Sequence, residues 1–383
     1  MKKDFKIMVS AGELSGDVHG AKLVTELKKI IPQAQFLGMG HQNMAKAGVE
    51  IKADITTSST VGILEPLKFL PKIFRAYYIL KKLLKTEKPD LLIVIDYQGF
   101  HMKLIKAAKA FGIPVAYYIA PQEWQWGTQK GGLEVIKYTD LLLCVFKEAE
   151  AFYTKLGGNA KYIGHPLLDI AQSNKAKSTF YKENKIDPKK KILAIFPGSR
   201  TQEINNVLPV LLAGAKTITK SVNNLQIIVS ISSPKYEKNI KQKITESQVG
   251  HIIYYSGNQY DLIKNSSLSL CPSGTITLEH AIIGTPFIAN YRFSKLSYFI
   301  IKALINKKFY ERVKFIALPN ILLKRKAFPE FLQNECTPEN IAKEAISILS
   351  GKNKMEKVND YLGDPGVVKR AAEIIKTEFL PQT

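Results

Sequence analysis

The chain has 383 residues, of which 45% are hydrophobic and 23% are charged, values typical of a globular protein that is long enough for two α/β domains. Its three cysteines lie far apart and no apolar run approaches the roughly 20 residues of a spanning helix, which argues against disulfides, a zinc knot and a transmembrane segment. The formal charge of +22 favours an anionic membrane surface or nucleic acid as a partner, but only six of the 55 basic residues are arginine, so a lysine-rich background explains part of it.

Predicted strands and helices alternate through the first half of the chain. Apolar runs predict strands at residues 5–10, 35–40, 91–95, 115–119 and 141–146, and helical patterns lie near residues 20–30 and 100–111. This order is typical of a mostly parallel, doubly wound sheet, in which ligands bind at the carboxyl ends of the strands.

The turn after the first strand, AGELSGD, carries three polar side chains, Glu13, Ser15 and Asp17. It lacks the G-x-G-x-x-G spacing of a dinucleotide site. Its small residues would let a ligand approach, and the three polar side chains could hydrogen-bond sugar hydroxyls. The alternative is that Ser15 or Asp17 only caps the helix that follows.

Residues 60–85 combine apolar side chains with lysines, and two prolines interrupt the pattern. One interpretation is an interfacial element that dips into acyl chains while its lysines bind lipid phosphates. The other interpretation is a loop followed by an amphipathic helix packed on the sheet. The pattern of residues 74–85 favours this second interpretation. The membrane-facing positions in the first interpretation are Val61, Ile63, Leu64, Leu67 and Leu70.

Asp96 ends the apolar strand LLIVID. A carboxylate at the edge of a low-dielectric sheet has a raised pKa, which suits a general base. The alternative is a turn aspartate that hydrogen-bonds its own backbone, and the residue pattern by itself slightly favours that alternative.

A polar, lysine-rich run at residues 171–191 divides the chain, after which the α/β pattern restarts with strands at 192–196, 225–230, 251–255 and 268–271. We therefore expect an N-terminal Rossmann-like domain at residues 1–170 and a second Rossmann-like domain at 171–363, facing each other across a cleft. The last helix, at about residues 364–383, is expected to pack back on the first domain or on a partner.

Two turns of the second half point to an anion site. FPGSR places a tight turn and Arg200 after a strand, where backbone amides and a guanidinium would neutralise phosphate. In CPSGTITLE, the turn Ser273, Gly274 and Thr275 opens a helix whose first N–H groups attract an anion, with Ser273 or Thr275 as the cap. Glu279, one turn further, is placed to bind the two hydroxyls of a ribose. An ordinary strand–turn–helix with a solvated Glu279 is the alternative.

Arg292 ends the next apolar strand and is counted with the substrate-binding residues, because its planar fork suits phosphate. The six histidines show neither an H-x-x-x-H spacing nor a cluster with carboxylates, so no catalytic metal is expected. No other cofactor is expected either.

Several motifs occur in the order found in bacterial lipid-A-disaccharide synthases: AGELSGD, IDYQGFH, YYIAPQEWQW, YIGHPLLD, FPGSR, CPSGTITLE with GTPFIANYR, and ALPN with FPEFLQ. The chain resembles this family over nearly its whole length. The resemblance implies an inverting GT-B glycosyltransferase that joins UDP-2,3-diacylglucosamine to 2,3-diacylglucosamine 1-phosphate, releasing UDP and forming a β-1,6-linked lipid A disaccharide. It also implies a peripheral protein on the cytoplasmic face of an anionic membrane, with no nucleic-acid partner; a homodimer is considered.

The resemblance assigns roles to the two domains and to individual residues. Residues 1–170 would bind the acceptor and residues 171–363 the UDP-sugar. Asp96 matches the family's candidate base, and Glu13 is the other carboxylate that could take the proton. Arg200 and the turn at residues 273–275 would stabilise the charge on UDP, Glu279 would hold the ribose, and Ser15, Asp17 and Asn320 match positions that resemble active-site residues.

The sequence departs from the family pattern at W-Q-W-G, where W-A-W and a basic residue are usual, and at His101, where asparagine is usual.

Three other functions stay open. They are a GT-B transferase acting on another lipid, a UDP-N-acetylglucosamine epimerase of the same fold, which needs no lipid-facing element, and a non-catalytic basic module that binds membrane or nucleic acid. Incubation with the two lipid substrates separates the enzymes, because only the synthase releases UDP and forms the disaccharide. The binding module predicts no UDP affinity and a steep salt dependence.

Overall fold

The computed structural model describes residues 5–56, 69–293, 298, 315–351, 356 and 358–380. The chain forms two compact units. Unit 1 contains most of the chain up to Asp169 together with the C-terminal segment from Leu362, and unit 2 contains Ile170–Tyr361. Four residues for which a lipid-facing role is predicted lie outside the described residues: Val61, Ile63, Leu64 and Leu67.

Unit 1 is built on a parallel seven-stranded sheet with the order β3-β2-β1-β4-β5-β6-β7. Its central strands are fully buried apolar runs, which is the pattern of a parallel sheet covered on both faces. The strands are β1 Lys6–Ala11, β2 Gln35–Met39, β3 Glu50–Ala53, β4 Leu91–Ile95, β5 Val115–Tyr118, β6 Leu141–Cys144 and β7 Ala160–Tyr162.

The helices of unit 1 connect these strands. Helix α1 begins at Leu14, six residues earlier than the sequence predicts. Gly20 lies within this helix and packs closely on the sheet, since a Cβ there would meet Ile95 Cδ1 at 2.9 Å. The helices are α1 Leu14–Ile30, α2 Gln42–Lys46, α3 Leu70–Glu87, α4 Gln98–Ala110, α5 Glu123–Trp126, α6 Gln129–Lys137, α7 Lys147–Lys155 and α8 Leu167–Ile170.

Unit 2 is built on a parallel six-stranded sheet with the order β10-β9-β8-β11-β12-β13. Its strands are β8 Lys191–Ile195, β9 Leu225–Ser230, β10 Ile252–Tyr255, β11 Leu268–Pro272, β12 Phe287–Tyr291 and β13 Glu330–Leu332. Its helices are α9 Lys177–Glu183, α10 Thr201–Asn206, α11 Leu208–Ser221, α12 Pro234–Ser247, α13 Gln259–Asn265, α14 Thr275–Ile283, α15 Leu318–Leu323, α16 Pro338–Leu349 and α17 Asn359–Leu362. The two parallel sheets confirm the predicted α/β class with two Rossmann-like units.

The last helix, α18 Val367–Phe379, belongs to unit 1 and packs on α1. Asp169 holds its N-terminus, because its carboxylate accepts hydrogen bonds from the amides of Gly366 at 2.6 Å and Val368 at 2.9 Å. Arg370 adds a second anchor by donating to the carbonyl oxygen of Ile163 at 2.9 Å. The aspartate of the YIGHPLLD motif therefore serves the attachment of the C-terminal helix.

Candidate active site

Two carboxylates lie at the carboxyl edge of the unit 1 sheet. Strands β1 and β4 are paired in parallel with Ala11 opposite Ile95, so the turns that follow them are neighbours. The turns are in close contact, since a Cβ added to Gly12 would collide with the ring of Tyr97. Glu13 and Asp96 follow the two strands directly, and they are close enough for the charge of Glu13 to act on Asp96.

Asp96 has the properties of a general base. The Asp96 side chain is exposed at the edge of the sheet, but the protein atoms packed around it partly desolvate the carboxylate and raise the pKa of Asp96 to about 6. The negative charge of Glu13 adds to this rise, and a hydrogen bond from the amide of Tyr97 opposes it. Features of both predicted roles are present at Asp96. The carboxylate accepts a hydrogen bond from its local backbone, as a turn aspartate does, and it also has a pKa suited to proton transfer near neutral pH.

The backbone at Asp96 is unusual. Asp96 and Tyr97 both have φ of 49°, so two consecutive residues other than glycine are left-handed. The carbonyl oxygen of Asp96 accepts two hydrogen bonds, from the hydroxyl of Tyr117 at 2.9 Å and from Nδ1 of His101 at 2.6 Å. His101, one of the departures from the family pattern, is fully buried.

Asp17 has a structural role within unit 1. It is fully buried, and its carboxylate accepts the amides of His41 at 2.6 Å, Asn43 at 3.0 Å and Met44 at 3.1 Å, which begin α2. Ser15 lies half-buried in the first turn of α1, whose N-cap is Glu13, so neither Ser15 nor Asp17 caps α1. A ligand contact by either residue stays a prediction.

In unit 2, the turn between β11 and α14 presents the start of a helix. The N-cap is Gly274, with φ of 154°, a conformation that favours glycine, and no side chain of the described residues makes a capping hydrogen bond to α14 there. The prediction that Ser273 or Thr275 caps this helix is wrong, because Ser273 Oγ instead donates to the carbonyl of Ile316 at 2.6 Å. The arrangement leaves the N-terminal end of α14 suited to an anion.

Glu279 lies one turn into α14 and is buried rather than solvated. Desolvation raises the pKa of Glu279 to about 7, and a hydrogen bond from the Tyr260 hydroxyl at 3.2 Å opposes the rise. The other carboxylate oxygen accepts from Nε2 of Gln259 at 3.0 Å. Each oxygen of a carboxylate has two lone pairs, so both can still accept a sugar hydroxyl.

The FPGSR turn differs from its prediction. The buried carboxylate of Glu203 accepts the amides of Ser199 at 2.8 Å and Arg200 at 3.2 Å, and its other oxygen lies 3.0 Å from the Arg200 guanidinium. The protein's own carboxylate thus occupies the amides that the sequence assigned to phosphate. The Arg200 side chain is 24% exposed and carries five N–H donors, so it stays the predicted phosphate contact of this turn.

We expect Arg200→Ala to weaken UDP binding roughly tenfold, because one charged hydrogen-bonding group is lost. The same change should lower the free energy of unfolding by about 1–3 kcal/mol, because Glu203 would be left buried without its cation. Calorimetric UDP titration and thermal unfolding measure the two effects.

The double variant Arg200→Ala/Glu203→Gln is the control that separates these effects. It should recover stability, since no charge is left buried, but it should not recover affinity. Equal UDP affinity in the wild type and in Arg200→Ala would show that Arg200 does not contribute to UDP binding.

Arg292 and Asn320 are both engaged with backbone groups. Arg292 Nε donates to the carbonyl of Gln333 at 3.3 Å. Asn320 is fully buried, donates to the carbonyl of Phe328 at 2.8 Å and accepts the amide of the same residue at 2.8 Å. Asn320 therefore fixes the loop that precedes β13, and a substrate contact by either residue stays a prediction.

The described residues offer carboxylates and amides rather than a metal cluster. Within those residues, no group of three or more His, Cys, Asp or Glu side chains is arranged to hold a metal ion. In unit 1 the arrangement can remove a proton, and in unit 2 it can bind an anion and sugar hydroxyls. No sequence motif singles out Gln259, Tyr260 and Glu203, although Gln259 and Tyr260 follow the end of a strand, which is where ligands bind in such sheets.

Solved structures resemble the chain in fold. A UDP-GlcNAc 2-epimerase from Neisseria meningitidis bound to UDP-GlcNAc matches with a TM-score of 0.65 and 14% identity, covering 98% of this chain and 100% of that one. The S. aureus MnaA–UDP co-structure matches with a TM-score of 0.67 and 14% identity, covering 97% and 96%. At this identity the similarity concerns the fold alone.

Sequence relatives identify the family. The lipid-A-disaccharide synthase of Persephonella marina is 35% identical over 393 aligned positions, covering 98% of this chain and 99% of the relative. That of Syntrophus aciditrophicus is 34% identical over 379 positions, covering 97% of both. The family model for lipid-A-disaccharide synthetase matches residues 7–372. The predicted resemblance is confirmed, and the chain belongs to the lipid-A-disaccharide synthetase family.

Proposed function

We propose that this protein is an inverting glycosyltransferase that joins UDP-2,3-diacylglucosamine to 2,3-diacylglucosamine 1-phosphate. The products are lipid A disaccharide 1-phosphate and UDP. The observation that carries the proposal is the family match over residues 7–372, which includes the elements that hold both carboxylates of unit 1 and the anion site of unit 2. Dimerisation stays a prediction.

We assign the donor nucleotide to unit 2. The N-terminus of α14, with glycine as its cap, supports a role in binding the diphosphate, and the adjacent Arg200 side chain supports neutralisation of its charge. The buried Glu279 supports a role in binding the ribose hydroxyls. As the bond between the anomeric carbon and the diphosphate breaks, these groups would stabilise the negative charge on the leaving UDP.

We assign proton removal to Asp96. In this mechanism the acceptor hydroxyl oxygen forms a bond to the anomeric carbon of the donor, its proton passes to the Asp96 carboxylate, and UDP leaves with the electron pair of the broken bond. A pKa of about 6 supports the assignment, because the carboxylate is largely ionised at neutral pH and still basic enough to take a proton.

Direct assay of the reaction tests the proposal. The protein should convert the two acylated sugars to equal amounts of UDP and disaccharide, with no product when the acceptor lipid is left out. Disaccharide formed with a different acceptor would indicate a transferase for another lipid. An epimerised nucleotide sugar without a disaccharide would indicate the other enzyme class with this fold.

We further propose that unit 1 binds an anionic membrane surface through helix α3. Three of its side chains, spaced four residues apart on one face, are exposed: Leu70 by 37%, Phe74 by 47% and Tyr78 by 65%. The same helix carries five exposed cations, namely Lys72, Arg75, Lys81, Lys82 and Lys85. The opposite face, with Ala76, Leu80 and Leu84, is buried.

The composition of this face supports a lipid surface as the occupant. Apolar side chains on a helix that also carries cations match acyl chains beneath anionic headgroups, and Lys103 of α4 adds a further cation 5.6 Å from the centre of the Phe74 ring. The packed-helix interpretation of residues 74–85 therefore describes only the inner face of α3. Among the described residues, no helix has the length and apolar character needed to cross a membrane.

The double variant Phe74→Ser/Tyr78→Ser should bind anionic vesicles about 30–700-fold more weakly, because each aromatic side chain would contribute about 1–2 kcal/mol when it enters the membrane. Vesicle sedimentation measures the effect. Leu133→Ser, which changes a 50% exposed leucine elsewhere on unit 1, is the matched control and should bind as the wild type does. Unchanged binding by the double variant would contradict the assignment.

A further inference from the structure

The carbonyl oxygen of Asp96 accepts hydrogen bonds from two buried side chains, and a third buried side chain supports one of them. Tyr117 from β5 and His101 from α4 both reach it, at 2.9 Å and 2.6 Å. Nε2 of His101 lies 3.0 Å from the hydroxyl of Ser10 on β1. All three side chains are fully buried. The strand on each side of β4 and the helix that follows it therefore all contribute to holding one peptide group.

The hydrogen-bond directions in this network are determined by chemistry. A carbonyl oxygen only accepts, so Nδ1 of His101 must carry a proton. Desolvation lowers the pKa of His101 to about 4, so the ring is neutral at pH 7, and Nε2 accepts the hydroxyl proton of Ser10. Every member of the network is thus satisfied, and His101 has a single tautomer.

The network stabilises an unfavourable backbone conformation. A left-handed φ at a residue other than glycine is unfavourable, and Asp96 and Tyr97 adopt it in succession at the point where the chain leaves β4. Two donors on the carbonyl between them hold this turn in place. The conformation of this turn determines where the Asp96 carboxylate lies relative to Glu13.

We propose that His101 and Tyr117 are positioning residues for Asp96, which hold its carboxylate next to Glu13 by binding the Asp96 carbonyl. Neither side chain touches a substrate in this role. The inference rests on the proposed function only in taking Asp96 as the base; the geometry of the network is independent of that assignment. It also gives a purpose to the histidine where the family pattern has asparagine, since both side chains can donate to a carbonyl.

The test compares His101→Leu, His101→Asn and Tyr117→Phe with the wild type. Loss of a donor should let the turn relax and the carboxylate move away from Glu13 and from the protein atoms that partly desolvate it, so the pKa of Asp96 falls from about 6. We expect kcat to fall at least about tenfold in His101→Leu and Tyr117→Phe with KM little changed, and the acid limb of the kcat profile to move to lower pH. His101→Asn, which keeps a donor, should retain most of kcat.

Tyr153→Phe is the matched control. Tyr153 is also a fully buried tyrosine of unit 1 whose hydroxyl donates to a backbone carbonyl, that of Pro121, at the same 2.9 Å. Its loss should cost comparable stability without moving the acid limb. If Tyr117→Phe and a folded His101→Leu behave as Tyr153→Phe does, the positioning role is wrong.

A direct titration of Asp96 by carboxylate ¹³C NMR keeps the inference separate from the proposed function. A lowered pKa of Asp96 in Tyr117→Phe supports positioning even if no disaccharide is formed. An unchanged pKa overturns positioning even if the wild type is an active synthase. Tyr117→Phe is isosteric, so this measurement does not depend on whether His101→Leu folds.

Discussion

Asp96→Asn is expected to lower kcat by about 10²–10⁴-fold, because the amide cannot accept the proton of the attacking hydroxyl. UDP affinity should stay the same, since the residues assigned to the nucleotide belong to unit 2. In the wild type, kcat should fall as the pH drops below about 6, where Asp96 becomes protonated. Steady-state kinetics over pH and calorimetric UDP binding check the three results.

Glu13→Gln is the control that distinguishes the two carboxylates. Removing the charge of Glu13 should lower the pKa of Asp96 and move the acid limb of kcat to lower pH, leaving substantial activity at pH 8. If Glu13 takes the proton instead, Glu13→Gln abolishes turnover and Asp96→Asn retains it. Nearly unchanged turnover in Asp96→Asn would make the base assignment wrong.

Glu279→Gln should weaken UDP binding by roughly 10–100-fold, because a charged acceptor of the ribose hydroxyls is lost. The same variant should be more stable than the wild type at alkaline pH. Burial raises the pKa of Glu279 from its ordinary value of 4.5 to about 7, so the folded state holds this proton more tightly than the unfolded state does. Stability therefore falls as the pH rises from about 4.5 to 7 and stays low above that range.

The gain in Glu279→Gln should reach about 3 kcal/mol at pH 8 and disappear near pH 4, since each pKa unit corresponds to about 1.4 kcal/mol. Thermal unfolding at several pH values measures it. Glu246→Gln, which neutralises an exposed carboxylate of unit 2, should show no such pH-dependent gain. A variant that loses UDP affinity without gaining stability at pH 8 would show that Glu279 is not desolvated in solution.

The architecture could be predicted from the sequence because the signals are local. Continuous apolar runs of four to six residues form the buried strands, and the residues that follow them lie at the carboxyl edge whatever the finer packing. The positions of Asp96 and Glu279 relative to such runs are therefore enough to single them out. The short strands β7 and β13, of three residues each, gave no comparable signal.

The details of the site depend on contacts between distant residues. Asp17 caps a helix that begins 25 positions later, and Tyr117 reaches Asp96 only because β4 and β5 pair with Ile95 opposite Tyr118. No periodicity in the sequence specifies such a register. Glu203 is an exception: a glutamate three residues after a turn residue is the spacing of a capping box, and it could have indicated that the turn amides were taken.

The return of α18 to unit 1 has a consequence for biosynthesis. Unit 1 contains β1 and α1 but is completed only by α18, so residues 170–361 of unit 2 are synthesised before the face of α1 that α18 buries can be covered. The six strands of unit 2 all lie between Lys191 and Leu332, so this sheet can be completed before α18 is made, reversing the N-to-C order in which domains are usually finished. A nascent chain that stops before Leu362 would leave an apolar helix face open to chaperones.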